Sequence, residues 1–180
     1  QRRADALGEE LGRAREARRM LLRQGTRRFG EPSPETVSAI ESLSSVCRVQ
    51  KVPKGRPIVE EDSLGESMFV LMRGRVRVEK KTPADDRYTV TFLSHERGDF
   101  FGELGLLDSD RRSATVTAET ECEVIVIERD RFLQFGDANP VAGLSVTRRI
   151  ASNLASRLRR ANDDVITLFA ALVHEVEERI

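Results

Sequence analysis

The hydrophobic residues of the first thirty positions recur every three or four residues. This spacing describes one face of a helix, close to a heptad seam, formed by Ala4, Leu7, Leu11, Ala14 and Leu21. Gly30, Pro32 and Pro34 end this helix. Ser33 then caps a short second helix, which has Pro34 at its first position and an apolar face made of Val37, Ile40 and Leu43.

Between about residues 46 and 132 the hydrophobic period changes to two, which predicts β-strands. Residues 75–79 alternate strictly between polar and apolar side chains, and residues 68–72 form an uninterrupted apolar strand. Further strands are predicted at residues 46–52, 58–59, 88–93, 114–118 and 123–127. Seven or eight short strands at this spacing predict an antiparallel β jelly-roll barrel. With flanking helices and a long C-terminal helix, the predicted fold class is α+β.

The long C-terminal helix is predicted to start with Asn139 as its cap and Pro140 at its first position. Apolar residues then alternate spacings of four and three, at Leu154, Leu158, Ala161, Val165, Leu168 and Leu172. This is the pattern of a coiled-coil seam. The seam extends beyond the part that a small barrel could cover, so a homodimer is favoured. The alternative is a helix packed on its own domain.

Charge and composition narrow the function classes. The 30 basic and 30 acidic residues balance, so no overall field favours nucleic acid or an anionic membrane. No apolar run approaches the roughly 18 residues of a membrane span, and no secretory leader is visible. Cys47 and Cys122 lack metal-ligand spacing, and they are expected to be small buried residues in a reducing cytoplasm. A disulfide or redox switch is the alternative.

The N-terminal segment departs from this balance. Residues 1–29 carry nine arginines and four acidic residues. A solvated helix face is favoured, and a helix that docks onto a partner protein or leads to another domain is the alternative. Direct RNA binding is disfavoured because no aromatic residues are interleaved with the arginines.

The candidate chemistry lies in residues 100–116, where Glu103 and Arg112 are nine residues apart. Arg112 offers a planar fork suited to two phosphate oxygens, and Glu103 can accept a hydrogen bond from a sugar hydroxyl. Gly102 allows a close backbone approach. A plain ion pair between Glu103 and Arg112 is the alternative. No acid or base is placed beside a nucleophile, and His95 and His174 lie far apart in sequence, so an enzyme is not expected.

Four landmarks occur in order along the chain: Val52-Pro53-Lys54-Gly55, Phe69 to Gly74, Arg97 to Phe100, and the turn that contains Glu103 and Arg112. Together they resemble the cyclic nucleotide-binding domain family, and the Arg-Ser-Ala sequence is similar to that of the bacterial catabolite activator (Crp/Fnr-type) branch. The resemblance implies Glu103 on the ribose hydroxyl and Arg112 on the phosphate. The binding residues that we expect are Gly102, Glu103, Leu104, Gly105, Arg112, Ser113, Ala114 and Asn162.

The resemblance also implies a ligand and an organisation. Ser113 follows the arginine where relatives selective for cGMP commonly carry threonine, which favours cAMP; Asn162 takes the place of a base-contacting residue. We expect an N-terminal helix at 1–30, a cyclic nucleotide-binding barrel at 31–136 and a lid or dimerisation helix at 137–180. The expected function is a cyclic nucleotide sensor that signals to this helix and a partner.

Two other functions are compatible with the sequence. One is the effector part of a truncated transcription regulator, because the chain begins at Gln1 and reaches Ile180 without a helix-turn-helix. The other is a dimerisation module that has lost ligand binding. The presence of both Glu103 and Arg112 argues against this second alternative.

Overall fold

The computed structural model describes residues 47–108 and 110–177, together with the separate positions Gly12, Arg15 and Arg19. These three positions are helical and exposed. The rest of the predicted N-terminal helix, and the short helix predicted after Ser33, lie outside the described residues.

Eight strands are present in the described part of the chain: β1 Arg48–Val52, β2 Pro57–Val59, β3 Ser67–Arg73, β4 Arg75–Lys81, β5 Arg87–Ser94, β6 Phe100–Phe101, β7 Thr115–Ala118 and β8 Cys122–Glu128. They form two four-stranded sheets, in the orders β1-β8-β3-β6 and β2-β7-β4-β5. All pairings within these sheets are antiparallel. The predicted antiparallel jelly-roll fold is confirmed. Each predicted strand lies within two residues of its observed bounds, and only β6 was not predicted.

The core lies between the two sheets. Inward-facing residues of both sheets form one apolar cluster, which includes Phe69, Leu71, Val76, Val116 and Val124. The two central strands of the first sheet, β3 and β8, are also buried on their other face, because the runs 68–72 and 124–127 contain no exposed residue. This double burial explains why these strands are uninterrupted apolar runs in the sequence.

Replacement of Leu71 with alanine tests this core. Leu71 is fully buried (0% exposed), so Leu71→Ala should lower the free energy of unfolding by about 2–5 kcal/mol through lost burial and a residual cavity. Urea unfolding measures the change as a lower midpoint at an unchanged slope. Leu133→Ala, at a position 44% exposed, is the matched control and should cost less than about 1 kcal/mol. Equal losses for the two variants would contradict the assignment of the core.

Three α-helices follow the strands that they support: α1 Leu104–Leu107, α2 Arg129–Ala138 and α3 Pro140–Glu177. A 3₁₀ turn, His95–Arg97, precedes β6. The predicted first position of the long helix is confirmed, since α3 begins at Pro140. The predicted cap, Asn139, ends α2 instead, and its side-chain amide donates to the Phe135 carbonyl at 3.2 Å. Helix α2 was not predicted; it packs against β8 and buries Phe132 and Phe135. None of the helices in the described part is long and apolar enough to cross a membrane.

The described residues divide into two compact units, one ending at Gly143 and one beginning at Leu144. In the first unit, α2 and the first turn of α3 approach each other closely at two glycines. A Cβ atom at Gly143 would lie 2.7 Å from the Cα of Gly136, so a side chain there would force the two segments apart. The second unit consists of the remainder of α3.

Cys47 and Cys122 are thiols and form no disulfide with each other. Cys122 pairs with Val52 at one end of β1, whereas Cys47 precedes the other end, roughly 17 Å away at strand spacing. That distance exceeds the roughly 7 Å limit for a disulfide. Burial raises the pKa of Cys47 to about 12, partly opposed by the charge of Arg131, and burial also raises the pKa of Cys122. Both thiols therefore stay protonated at neutral pH. Cys122 is buried, as expected, whereas Cys47 is only half-buried.

Candidate ligand-binding site

The site is built on a sharp turn between β6 and α1. Gly102 adopts a φ of 73°, a conformation that glycine takes without strain. The chain then enters the single helical turn α1 at Leu104. Leu106 anchors α1 in the protein interior, where it is only 2% exposed. The turn therefore presents a glycine backbone and the Glu103 side chain at a fixed place.

The guanidinium of Arg112 lies against this turn. Its Nη1 donates hydrogen bonds to the carbonyl oxygens of Ser67 (2.6 Å) and Gly102 (3.0 Å). Its Nη2 donates to the Ser67 hydroxyl at 3.0 Å. The ring of Phe69 lies below the guanidinium, with 5.8 Å between Cζ and the ring centroid. Arg112 thus connects the turn to the first residues of β3.

Three glycines leave the space that the guanidinium occupies. A Cβ atom at Gly102 or Gly105 would lie 2.8 Å from Nη1 of Arg112. A Cβ atom at Gly65 would overlap Nε and lie 2.5 Å from Nη2 and 2.6 Å from Cζ. No side chain fits at these positions unless Arg112 moves. The three glycines therefore form one close-packed setting around the cation.

The main chain of Arg112 is held by the loop between β2 and β3, residues 60–66. The Asp62 amide donates to the Arg112 carbonyl, and the Arg112 amide donates to the Ser63 carbonyl, both at 2.9 Å. Within the same loop, the Glu61 carboxylate accepts from the Lys81 amide at 2.9 Å, which ties the loop to the end of β4. This network fixes the loop, and the loop fixes the residue that carries the positive charge.

The site places one buried cation beside one buried carboxylate. Arg112 is 7% exposed and Glu103 is 4% exposed. Burial lowers the pKa of Arg112 from its usual value, and the negative charge of Glu103 acts in the opposite direction. The guanidinium remains charged, because arginine is not deprotonated in proteins at neutral pH. A pair of this kind can bind a group that offers both an anion and a hydroxyl.

The structure brings most of the predicted binding residues together. Gly102, Glu103 and Gly105 surround Arg112 through the turn and the glycine contacts described above. Leu104 is 36% exposed at the start of α1. Ser113 is exposed and Ala114 is half-buried on the segment that follows Arg112. Asn162 is exposed on α3 in the second unit, and its contact with a base stays a prediction.

Three residues at this site were missed by the sequence interpretation: Gly65, Ser67 and Phe69. Each contacts Arg112 across more than forty positions of chain, so no local spacing indicates the contact. Phe69 was noted only as part of a strand landmark. Glycine and serine before an apolar strand are also ordinary turn residues. Within the part of the chain that the structure describes, no group of His, Cys, Asp and Glu side chains could hold a metal ion.

Known proteins are similar to this chain over the barrel and the site that it carries. A family model described as "Cyclic nucleotide-binding domain" matches residues 49–139. Among curated proteins, the cAMP-activated global transcriptional regulator CRP of Salmonella typhimurium is 31% identical over 133 residues, covering 73% of this chain and 60% of the relative. The CRP-like cAMP-activated global transcriptional regulator of Mycobacterium tuberculosis is 26% identical over 149 residues, which cover 83% of this chain and 62% of the relative. The chain thus spans about 60% of the length of these relatives.

Solved structures are similar over the same region. A cyclic nucleotide-binding domain from Methylobacillus flagellatus shares the fold with a TM-score of 0.73 at 23% identity, covering 83% of this chain and 82% of that one. The catabolite activator protein of Thermus thermophilus aligns with a TM-score of 0.65 at 27% identity, and the alignment covers 81% of this chain and 62% of that one. The matched family and its relatives are defined by ligand binding and regulation, in agreement with the prediction that the chain is not an enzyme.

Proposed function

Because the chain belongs to the cyclic nucleotide-binding domain family, we propose that it is a cAMP sensor in which Arg112 binds the cyclic phosphate and Glu103 binds the ribose 2′-hydroxyl. The observation that carries the proposal is the burial of this cation and carboxylate within a turn lined by glycines. An ordinary surface ion pair needs neither the burial nor the glycines. The setting matches a ligand with one negative charge beside a hydroxyl group.

The preference for cAMP rests on two observations. Position 113 is serine rather than the threonine that is common in relatives selective for cGMP. The curated relatives at about 30% identity are described as activated by cAMP. We therefore assign cAMP as the ligand and cGMP as the weaker one, with Gly102, Leu104, Gly105, Ser113 and Ala114 beside the sugar and phosphate. Asn162 is assigned to the base.

The output of the sensor is assigned to α3. Four residues of the predicted seam are strongly exposed in the single chain, each at 63–65%: Leu158, Val165, Leu168 and Leu172. Further apolar side chains, which the seam did not include, are also exposed beside it: Ile166, Phe169, Val173 and Val176. An exposed apolar surface of this kind favours a homodimer through α3. Ligand would change the placement of this helix by its differential affinity for two placements.

A side-by-side calorimetric titration tests the ligand assignment. We expect cAMP to bind with measurable heat, cGMP to bind more weakly, and a cyclic dinucleotide not to bind. The physical reason is that one buried guanidinium balances a single phosphodiester charge, whereas a cyclic dinucleotide brings two. The same three ligands should rank identically as stabilisers in thermal unfolding, because binding to the folded state raises its stability. A protein that responds to none of them would contradict the sensor assignment.

The relatives favour one further candidate, a role in transcriptional control. The described residues place no DNA-binding element beside the barrel, and this role therefore rests on the relatives alone. For the N-terminal segment, with nine arginines against four acidic residues in positions 1–29, a solvated helix face remains the favoured hypothesis, and docking onto a partner protein or a further domain remains the alternative. Neither assignment changes the proposed chemistry at Arg112.

A further inference from the structure

Helices α2 and α3 are joined by a single residue, Asn139. Its main-chain amide and its side-chain amide both donate to the Phe135 carbonyl of α2, at 2.9 and 3.2 Å. Its own carbonyl oxygen accepts the first main-chain hydrogen bond of α3, from the Gly143 amide at 2.8 Å. The chain therefore passes from one helix into the next without a loop that could absorb a movement.

The two helices also touch backbone to backbone. Gly143 is buried in the first turn of α3, and a Cβ atom there would lie 2.7 Å from the Cα of Gly136. Carbon atoms in contact are normally about 3.5–4.0 Å apart, so a single methyl group at position 143 would push the helices apart. A Cβ atom at Gly136, by contrast, would meet nothing within 4 Å. The contact therefore requires glycine at position 143 and tolerates alanine at position 136.

Helix α2 is held in place by other elements of the same unit. Phe132 and Phe135 are 6% and 5% exposed, and α2 packs against β8. It also packs against α1, the helical turn that begins directly after Glu103. A change at the turn that carries Glu103 can therefore reach α2 through packed residues, and the contact between Gly136 and Gly143 connects α2 to α3.

We propose that Gly143 is a positioning residue: its backbone contact with Gly136 makes residues 129–143 one rigid elbow, so that a movement of α2 displaces α3. A contact between two backbones suits this role because it contains no side-chain rotamers that could absorb the movement. This inference rests on the proposed function for the ligand that moves α2. It adds the residue through which occupancy of the site reaches α3.

Amide hydrogen exchange of the wild-type protein without ligand tests whether the elbow is rigid. Segments that open as one cooperative unit share one opening free energy, so the Phe135, Asn139 and Gly143 amides should have protection factors within about threefold of one another. A Gly143 amide that is protected about tenfold less than the Phe135 amide, or worse, would show that α3 opens independently of α2 and would overturn the proposal.

Two alanine variants test the contact itself. Alanine is favoured over glycine inside a helix, and this intrinsic gain is the same at both positions. Gly136→Ala should therefore raise the Tm by about 2–4 °C. Gly143→Ala should lower the Tm, because its methyl group meets the backbone of Gly136. Equal increases in the Tm of both variants would show that the backbones are not in contact, and the elbow would be refuted.

Backbone resonances of the ¹⁵N-labelled full chain, with and without saturating cAMP, test whether α2 displaces α3. The readout is the change in amide shifts over residues 144–154, which contain none of the residues assigned to the ligand. Gly143→Ala should retain the changes in α2 and reduce those of residues 144–154 to less than about half of the wild-type values. Gly136→Ala, the matched control, should retain both. Saturation makes this comparison independent of affinity.

The outcomes distinguish the elbow from the proposed function. Wild-type protein that binds no cyclic nucleotide overturns both. Wild-type protein that binds cAMP, while Gly143→Ala retains the full response of residues 144–154, overturns only the elbow. An equal reduction in Gly136→Ala would attribute the effect to an added methyl group rather than to the contact, and it would also overturn the elbow. If Gly143→Ala does not fold, hydrogen exchange of the wild-type protein decides the question.

Discussion

Replacement of Arg112 with alanine should weaken cAMP binding by about 2–5 kcal/mol, which is roughly thirtyfold or more in the dissociation constant. Arg112 is 7% exposed and shares its setting with the Glu103 carboxylate. The substitution removes the cation that faces the phosphate, and it leaves that carboxylate buried without the guanidinium. Both changes act against an anionic ligand. Calorimetric titration of wild-type and variant protein with cAMP measures the difference directly.

Two control variants distinguish the loss of a direct contact with the phosphate from the loss of a positive charge elsewhere on the protein. Arg56→Ala removes one positive charge from an exposed position in the turn before β2, and it should leave the dissociation constant within about threefold. Arg112→Lys keeps the charge but loses the fork, and it should fall between wild type and Arg112→Ala. If Arg112→Ala binds cAMP as tightly as Arg56→Ala does, the assignment of Arg112 to the phosphate is wrong.

The sequence predicted the sheets well because their burial leaves a strong pattern. The run 68–72 is apolar throughout because β3 is covered on both faces. Residues 75–79 alternate because Val76 and Val78 pack into the core between the sheets. The first residue of α3 was equally predictable, since Pro140 is a typical residue of the first helical position. In each case the signal lies within a few neighbouring residues.

The features that were missed lack such local signals. Helix α2 begins after Glu128 with no side-chain hydrogen bond to cap it, and only Phe132 and Phe135 of its ten residues are buried. Strand β6 has two residues, too few to show a period. The contacts of Gly65 and Ser67 with Arg112 depend on the pairing of distant segments, so only the folded chain places the three residues together.

The seam of α3 is a similar case, because its local pattern predicts an apolar helix face but does not identify the surface that covers this face. Its residues recur at coiled-coil spacing, and the structure leaves Leu158 at 63% and Val165 at 64% exposure in the single chain. A hydrophobic surface on a helix is stable in water when another surface covers it. A second copy of α3 supplies a surface with the same spacing, since these two positions are seven residues apart along one face.

Replacement of both Leu158 and Val165 with glutamate should therefore convert a dimer into a monomer. Each substitution places an unpaired carboxylate in the apolar seam of both copies, and four such charges should raise the dissociation constant at least about a thousandfold. Light scattering coupled to gel filtration should show the mass reduced to half. Thr167→Glu combined with Ala171→Glu adds the same charge to exposed positions on the opposite side of α3, and it should leave the mass of a dimer unchanged. If the seam variant keeps the mass of the wild type, the seam of α3 does not join two copies; if both variants become monomers, added charge rather than the seam explains the result.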